Sequence, residues 1–168
     1  PLDADNESEK TEPRISAWIE QIKPHFLYNT LDNIYSLACL DEKDTLMELV
    51  LNLSKFYRGC LSLGKSFVSI EEELNTCIAY LDIMKVRYHN KFEYNIFCPK
   101  NLMQFKCPKL ILLPLVENSI YHGIKGLKYR GNISIKINEN NDDLIFSVED
   151  NGFGIDINKL KKILSYDG

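Results

Sequence analysis

The stretch NISIKINENNDDLIFSVEDNG, residues 132–152, alternates apolar and polar side chains twice over, through Ile133, Ile135 and Ile137 and again through Leu144, Phe146 and Val148. A period of two is the mark of a strand with one buried face, and the Asn-Asn-Asp stretch at 140–142 reads as the turn of a hairpin. Upstream, Phe92, Tyr94 and Ile96 alternate in the same way, and Pro108 is placed to start a helix over residues 108–122. Ser69 and Glu72 fit a capping box ahead of a helix that carries Leu74, Cys77, Ile78, Leu81, Met84 and Tyr88. Helices and a partly antiparallel sheet in this order predict an α+β fold over residues 67–168, built as an α/β sandwich.

Before Gly64 the pattern is purely helical. Ile15, Trp18, Ile19, Ile22 and Phe26, continuing through Leu31, Ile34, Leu37 and Ala38, recur at spacings of three and four and predict one long amphipathic helix. Asp41 reads as the N-cap of a second helix, whose stripe runs Leu46, Leu49, Val50, Leu53, Phe56, Tyr57, Cys60 and Leu61. A lone hairpin over residues 13–66 cannot bury both stripes, so it calls for a packed domain or a second hairpin, and a dimeric four-helix bundle is the economical solution. Residues 1–12 are polar and aperiodic, as in a linker.

Composition narrows the function. The chain has 168 residues, 45% hydrophobic and 26% charged, with a formal net charge of −4. A chain of this size buries roughly 68–70% of its unfolded surface, enough for a core without staples. Five cysteines, odd in number and never in a C-x-x-C pattern, argue against a disulfide framework and a zinc knuckle, and favour a reducing compartment. The acidic balance and the lack of long basic runs give little drive toward nucleic acid. No run approaches the length of a membrane span and no signal peptide opens the sequence.

Three stretches carry polar groups in expensive places. In QIKPHFLYNT, residues 21–30, a proline stands immediately before a histidine in a helical pattern, where it costs roughly 3 kcal/mol and bends the helix to expose the imidazole. Gln21, His25 and Asn29 are four apart and share a face. An ordinary imidazole, with a pKa near ~6.5, is largely neutral at pH 7 and can act as a nucleophile. The same pattern also suits a surface histidine on a kinked helix, and Phe26, not an acid, follows it.

In LPLVENSIYHG, residues 113–123, Glu117 and Asn118 interrupt an apolar helix, with His122 four residues on from Asn118. Buried without a ligand they are costly, and the amide oxygen of Asn118 suits Mg²⁺; a solvated helix end is the other reading. In VEDNGFG, residues 148–154, Asp150 ends a strand where it can accept a hydrogen bond from an exocyclic amine, while Gly152 and Gly154 let backbone approach a ligand. Asp-Asn-Gly is also a common turn.

Taken together and in order, PHFLYNTL, PLVENSIYHG and DNGFGI resemble the sensor histidine kinases of the LytS/YesM type, over roughly residues 13–160. The resemblance implies a dimerisation and phosphoacceptor hairpin, residues 13–66, followed by an ATP-binding domain of the gyrase/Hsp90/histidine-kinase/MutL type, residues 67–168. It implies His25 as the phosphoacceptor, Asn118 as the Mg²⁺ ligand, Asp150 as the adenine-binding residue with Gly152 and Gly154 beside it, and Glu117 as general base or water organiser. Asn29 matches a position tied in related kinases to dephosphorylation of the response regulator. The implied cofactors are ATP and Mg²⁺, and the implied partners are a second copy and a response regulator, with the membrane reached only through segments outside this sequence. Two features depart from the pattern. Tyr121 stands where the family usually has lysine, which leaves phosphate charge to Lys125, Lys128 or Arg130, with His122 close by. The sequence also ends at Gly168, before a second glycine box, so weak ATP binding with little preference over ADP, and a mobile segment after Asp156, are expected. A non-catalytic dimeric scaffold for a response regulator, or an ATPase of the same fold, are the alternatives.

Overall fold

The computed structural model describes residues 24–61 and 65–155. The linker at 1–12, the first half of the expected N-terminal helix with Gln21, the punctuating Gly64 and the segment after Ile155 lie outside the described residues.

Helices α1 (Pro24–Cys39) and α2 (Lys43–Leu61) form the hairpin. Strand β1 (Phe67–Ser69), helix α3 (Ile70–Arg87), strand β2 (Phe92–Phe97), a 3₁₀ turn (Lys100–Leu102), strand β3 (Lys106–Pro108), helix α4 (Leu113–Asn118) with a π-helical continuation (Ser119–Ile124), and strands β4 (Gly131–Asn140) and β5 (Asp143–Asp150) follow. Two sheets result, an antiparallel β1-β3 pair and a mixed β2-β4-β5 sheet, so the fold is α+β. In the larger sheet β2 runs parallel to β4 and β5 antiparallel to it.

The alternating stretch forms the centre of that sheet. Ile133, Ile135 and Ile137 are fully buried, and Phe146 and Val148 face Ile137 and Ile135 across the ladder. The next position on that face of β5 is Asp150, opposite Ile133. An apolar strand face thus ends in a carboxylate.

Helix α3 begins with the expected capping box: Glu72 N–H donates to Ser69 Oγ at 3.1 Å, and Ser69 N–H donates to Glu72 Oε2 at 2.7 Å. That pairing holds the Glu72 carboxyl below its ordinary range. The helix is buried over most of its circumference because α2 covers one side and the sheet layer the other. At Gly59 a Cβ would stand 2.1 Å from Thr76 Oγ1, so α2 and α3 touch almost backbone to side chain. Leu49, Phe56 and Cys60 of α2 belong to the same core as Tyr80, Leu81 and Met84 of α3. The apolar stripe of the hairpin therefore finds a packed domain in its own chain. Val50 and Leu61, expected in that stripe, are exposed, as are Leu31 and Ala38 of α1.

Two sequence expectations are corrected. Asp41 does not cap α2: its φ of 57° is left-handed, whereas an N-cap is extended. It ends α1 instead, with Asp41 N–H donating to Ala38 O and Glu42 N–H donating to Leu37 O, the paired bonds of a Schellman turn. Helix α3 closes the same way through His89, at φ 51°, which accounts for that histidine. Nor does Pro108 start a helix. It ends β3 opposite Phe67, and α4 begins only at Leu113, with Pro114 in its first turn. The delay has a cause: Leu110 is left-handed at φ 60°, and the Glu73 carboxylate takes the N–H groups of Leu110 and Leu112 at 2.8 and 3.0 Å.

All five cysteines are free thiols. Burial pushes Cys60 up to about 12 and Cys107 up to about 11. No helix among the described residues is long and apolar enough to cross a membrane.

Candidate active site

His25 lies in the first turn of α1 with its ring exposed. One turn on, the Asn29 side-chain amide nitrogen lies 2.8 Å from His25 Nδ1 and 3.4 Å from Nε2, within hydrogen-bond reach of the ring. Phe26 points the other way, into the core, where it stacks on Tyr80 with centroids 5.3 Å apart.

On α4 and its continuation, Leu113, Val116 and Ile120 face the core and Asn118 and His122 turn outward, with Glu117 and Tyr121 half-buried between them. The chain then widens: Lys125 N–H donates to Ile120 O, five residues back, at 2.9 Å. Such π-helical turns cost helical regularity and often re-aim side chains at functional sites. Glu117 Oε1 accepts from the Tyr80 hydroxyl at 3.4 Å. Burial, reinforced by Glu117 and Tyr121, pushes the Tyr80 phenol far above its usual range, so it remains a donor. Tyr121, in the place of a lysine, thus faces the Tyr80–Glu117 pair.

The end of β5 meets this helix at two glycines. A Cβ on Gly123 would stand 2.4 Å from Asp150 Oδ1, and one on Gly152 would stand 2.2 Å from Gly123 O. Asp150 Oδ1 accepts the Gly152 N–H at 2.9 Å, which holds the carboxylate in place and leaves its other oxygen for a ligand. Asn151 is tied back to the sheet, its Oδ1 accepting Asn132 N–H at 2.7 Å. Gly154 is left-handed at φ 70° with open space where a Cβ would be.

Between helix and strand lies a cleft of about 380 Å³, lined by Leu115, Asn118, Ser119, His122 and Gly123 on one side and Val148, Asp150, Gly154 and Ile155 on the other. It brings together four of the residues singled out in the sequence: Asn118, His122, Asp150 and Gly154. Gly152 sits behind the cleft, packed on Gly123. A hollow of about 310 Å³ next to it adds Glu117 and Lys125 to Asn118 and His122. Lys128 and Arg130 are elsewhere, lining a separate hollow with His89 and Lys91. Arg130 pairs with Glu93, whose carboxyl is held below its usual range first by Lys85 and then by Arg130. Of the three cations considered for phosphate charge, only Lys125 borders Asn118.

Among the described residues no three His, Cys, Asp or Glu side chains converge as a ready cation cage. The exposed Asn118 amide beside Glu117 fits Mg²⁺, which keeps several waters and takes other ligands from phosphate. The cleft fits a flat base: apolar Leu115, Val148 and Ile155 supply its walls, and one fixed carboxylate supplies an acceptor.

Three residues of this site escaped the sequence reading. Gly123 falls within a motif without a role of its own, and Tyr80 and Glu73 are not singled out by any motif. The available signal for the last two was position: Glu73 and Tyr80 both fall on the buried stripe with Ile70, Cys77 and Met84.

A helix carrying an exposed histidine, joined through a shared core to a cleft of this kind, defines a class: a histidine-bearing helical hairpin on a gyrase-like ATP-binding fold. Comparison with known proteins agrees. Residues 14–92 match the family described as histidine kinase, and residues 107–167 match the histidine kinase-, DNA gyrase B- and HSP90-like ATPase family. The sensor histidine kinase BtsS of Escherichia coli is 34% identical over 141 residues, 84% of this chain and 25% of that protein. The sensor protein LytS of Staphylococcus saprophyticus is 34% identical over 144 residues, 85% of this chain and 24% of the relative. The sensor histidine kinase YesM of Bacillus subtilis is 30% identical over 145 residues, 86% of this chain and 25% of the relative. The chain belongs to the histidine-kinase family, and it spans about a quarter of the length of the curated relatives it matches.

Proposed function

We propose that this chain is the phosphotransfer and ATP-binding region of a two-component sensor kinase, moving the γ-phosphoryl group of Mg-ATP to His25 and then to an aspartate of a response regulator. The observation that carries the reading is the cleft that gathers Asn118, His122, Asp150 and Gly154, in a chain whose histidine-bearing helix packs on the same core. Residues 13–66 serve as the acceptor hairpin and residues 67–168 as the ATP-binding unit, on the cytoplasmic side of a membrane.

Asp150 accepts the exocyclic amine of adenine, and Gly154 keeps the backbone clear for the ligand. Asn118 offers an amide oxygen to Mg²⁺, which when bound neutralises phosphate charge, and Lys125 and His122 border the same space. His25 forms the new N–P bond as the bond from phosphorus to the bridging oxygen breaks and ADP leaves. That attack needs one ring nitrogen free of both proton and hydrogen bond. The Nδ1–H tautomer supplies it: the Asn29 amide turned with Oδ1 toward the ring accepts Nδ1–H, and the lone pair of Nε2 is free. The ring proton is released as the N–P bond forms, and Glu117, with Tyr80 donating to it, organises the water or takes that proton. In the reverse direction Asn29 orients water toward the regulator's aspartyl phosphate.

A second copy docks on the exposed apolar face of the hairpin, where Tyr28, Leu31 and Tyr35 of α1 and Met47, Val50 and Leu51 of α2 stand at helical spacing. Incubation of the complete protein with γ-labelled ATP and Mg²⁺ tests the reading. Acid-labile, base-stable label that disappears in His25→Ala is expected. Nucleotide binding without label supports an ATPase of the same fold, loss of both supports the scaffold, and label that persists in His25→Ala removes the assignment.

A further inference from the structure

The acceptor helix and the catalytic helix are tied together inside one chain. Phe26, immediately after His25, stacks on Tyr80 at 5.3 Å with the ring planes 30° apart. Phe56 of α2 closes the cluster, 5.3 Å from Phe26 and 5.6 Å from Tyr80. The Tyr80 hydroxyl reaches Glu117, immediately before Asn118. One residue beyond each end of the path Phe26–Tyr80–Glu117 therefore stand the acceptor histidine and the amide placed for Mg²⁺. The cleft is oriented to match. Asp150, the adenine end, lies against Gly123 in the π-helical continuation, and Glu117, which the Tyr80 hydroxyl reaches, shares a hollow with Asn118.

The hairpin is also not hung on a loose tether. Gly59 packs against Thr76 so closely that no Cβ fits, and Phe56 and Cys60 are buried in the core that Tyr80 and Leu81 share. The connection from Leu61 to Phe67 is short, and an extended chain gains only about 3.3–3.6 Å per residue. Swinging the cleft away from its own hairpin would mean opening the aromatic cluster and exposing these rings to water.

We infer that phosphoryl transfer is intramolecular: each chain's nucleotide cleft serves its own His25, and Tyr80 is the positioning residue that holds acceptor and cleft in register. This rests on the kinase reading above. The bond changes are those of that reading, with donor and acceptor in one chain.

Mixed dimers of the complete protein, purified through two different tags, decide between the routes. In the first, one chain carries His25→Ala and the other Asp150→Asn; in the second, a wild-type chain is paired with a chain carrying both substitutions. Given Mg²⁺ and γ-labelled ATP at a concentration where the Asp150→Asn homodimer takes no label, the first is expected to stay unlabelled and the second to take label on its wild-type chain. Label in the first, or none in the second while the wild-type homodimer labels, overturns the inference. A wild-type homodimer that takes no label at all defeats the kinase reading itself. For Tyr80, Tyr80→Phe keeps the ring and removes the donor. Its kcat for self-labelling is expected to fall about tenfold or more while the KM for ATP changes by less than about twofold, because misplacement of a reacting group costs rate rather than ligand affinity. An unchanged kcat, or a loss confined to KM, removes the positioning role.

Discussion

Replacing Glu73 is expected to cost far more stability than an acidic residue on a helix usually does. Its side chain is only 2% exposed, and its two oxygens take separate backbone donors, Leu110 N–H at 2.8 Å and Leu112 N–H at 3.0 Å. Both donors belong to buried residues of the loop that delivers α4. In Glu73→Ala each stranded N–H costs about 1–3 kcal/mol, partly offset by no longer burying a carboxylate, so a net loss of about 2–4 kcal/mol is expected. For a chain of this size that is a fall in Tm of roughly 5–15 °C. Glu73→Gln keeps the shape but presents one oxygen and one amino group, satisfying one donor and opposing the other, for about 1–2 kcal/mol. Urea unfolding followed by circular dichroism measures both. An alanine variant within about 0.5 kcal/mol of wild type, which is the range of ordinary surface substitutions, would refute the argument. The pH dependence gives an independent check. Burial raises the Glu73 carboxyl above its ordinary value, against the lowering effect of the Leu112, Leu110 and Ile111 N–H groups and of Lys109. The folded state then holds that proton more tightly than the unfolded state does. Its contribution is fully present below the unfolded value of about 4.3 and is lost as pH rises through the folded one. The gap between wild type and Glu73→Gln should therefore widen as pH falls from 7 toward that range, and a gap that narrows contradicts the raised value.

At the cleft, Asp150→Asn is expected to weaken ATP binding by about 1–3 kcal/mol, read by calorimetric titration, because an ionised acceptor becomes an amide. Gly123→Ala should weaken it similarly with little change in Tm, since the added Cβ would stand 2.4 Å from Asp150 Oδ1 and must displace it. The two losses should not add, and full additivity would show that Gly123 does not act through Asp150. Asn29→Ala should slow loss of phosphate from the response regulator, and the ring-nitrogen signals of His25 should shift in nitrogen-15 NMR spectra; an unchanged spectrum would remove the 2.8 Å contact from the account.

What could be read in advance depended on how local the signal was. The period of two in β4 and β5 and the Ser69–Glu72 box lie within a few residues of themselves and stand in the structure as the sequence implies, whereas the hairpin stripes hold only in part, with Phe26, Leu49, Phe56 and Cys60 buried and Leu31, Ala38, Val50 and Leu61 exposed. Pro108 misled because a residue with fixed φ and no N–H suits a short edge strand as well as a helix start. What decided between them was a carboxylate on α3, thirty-seven residues away from Leu110 in sequence. Asp41 misled because aspartate favours both N-caps and left-handed turns, and only the two backbone bonds closing α1 distinguish them. At the site, the motifs singled out Asn118 and Asp150, which line one cleft, but that Gly152 packs on Gly123, and that Phe26 and Glu117 meet through Tyr80, are facts of tertiary contact that no spacing encodes.

Mapping the phosphoryl group itself tests the central claim most directly. The chain has three histidines, His25, His89 and His122, and the structure gives each a different setting: an exposed helix turn, a left-handed helix end and the rim of the nucleotide cleft. After incubation with Mg-ATP, mass spectrometry of peptides kept at alkaline pH is expected to find one phosphoryl group, on His25, and none on His89 or His122. Phosphate on either of those two, or a nucleotide-bound protein with no phosphohistidine at all, would contradict the account.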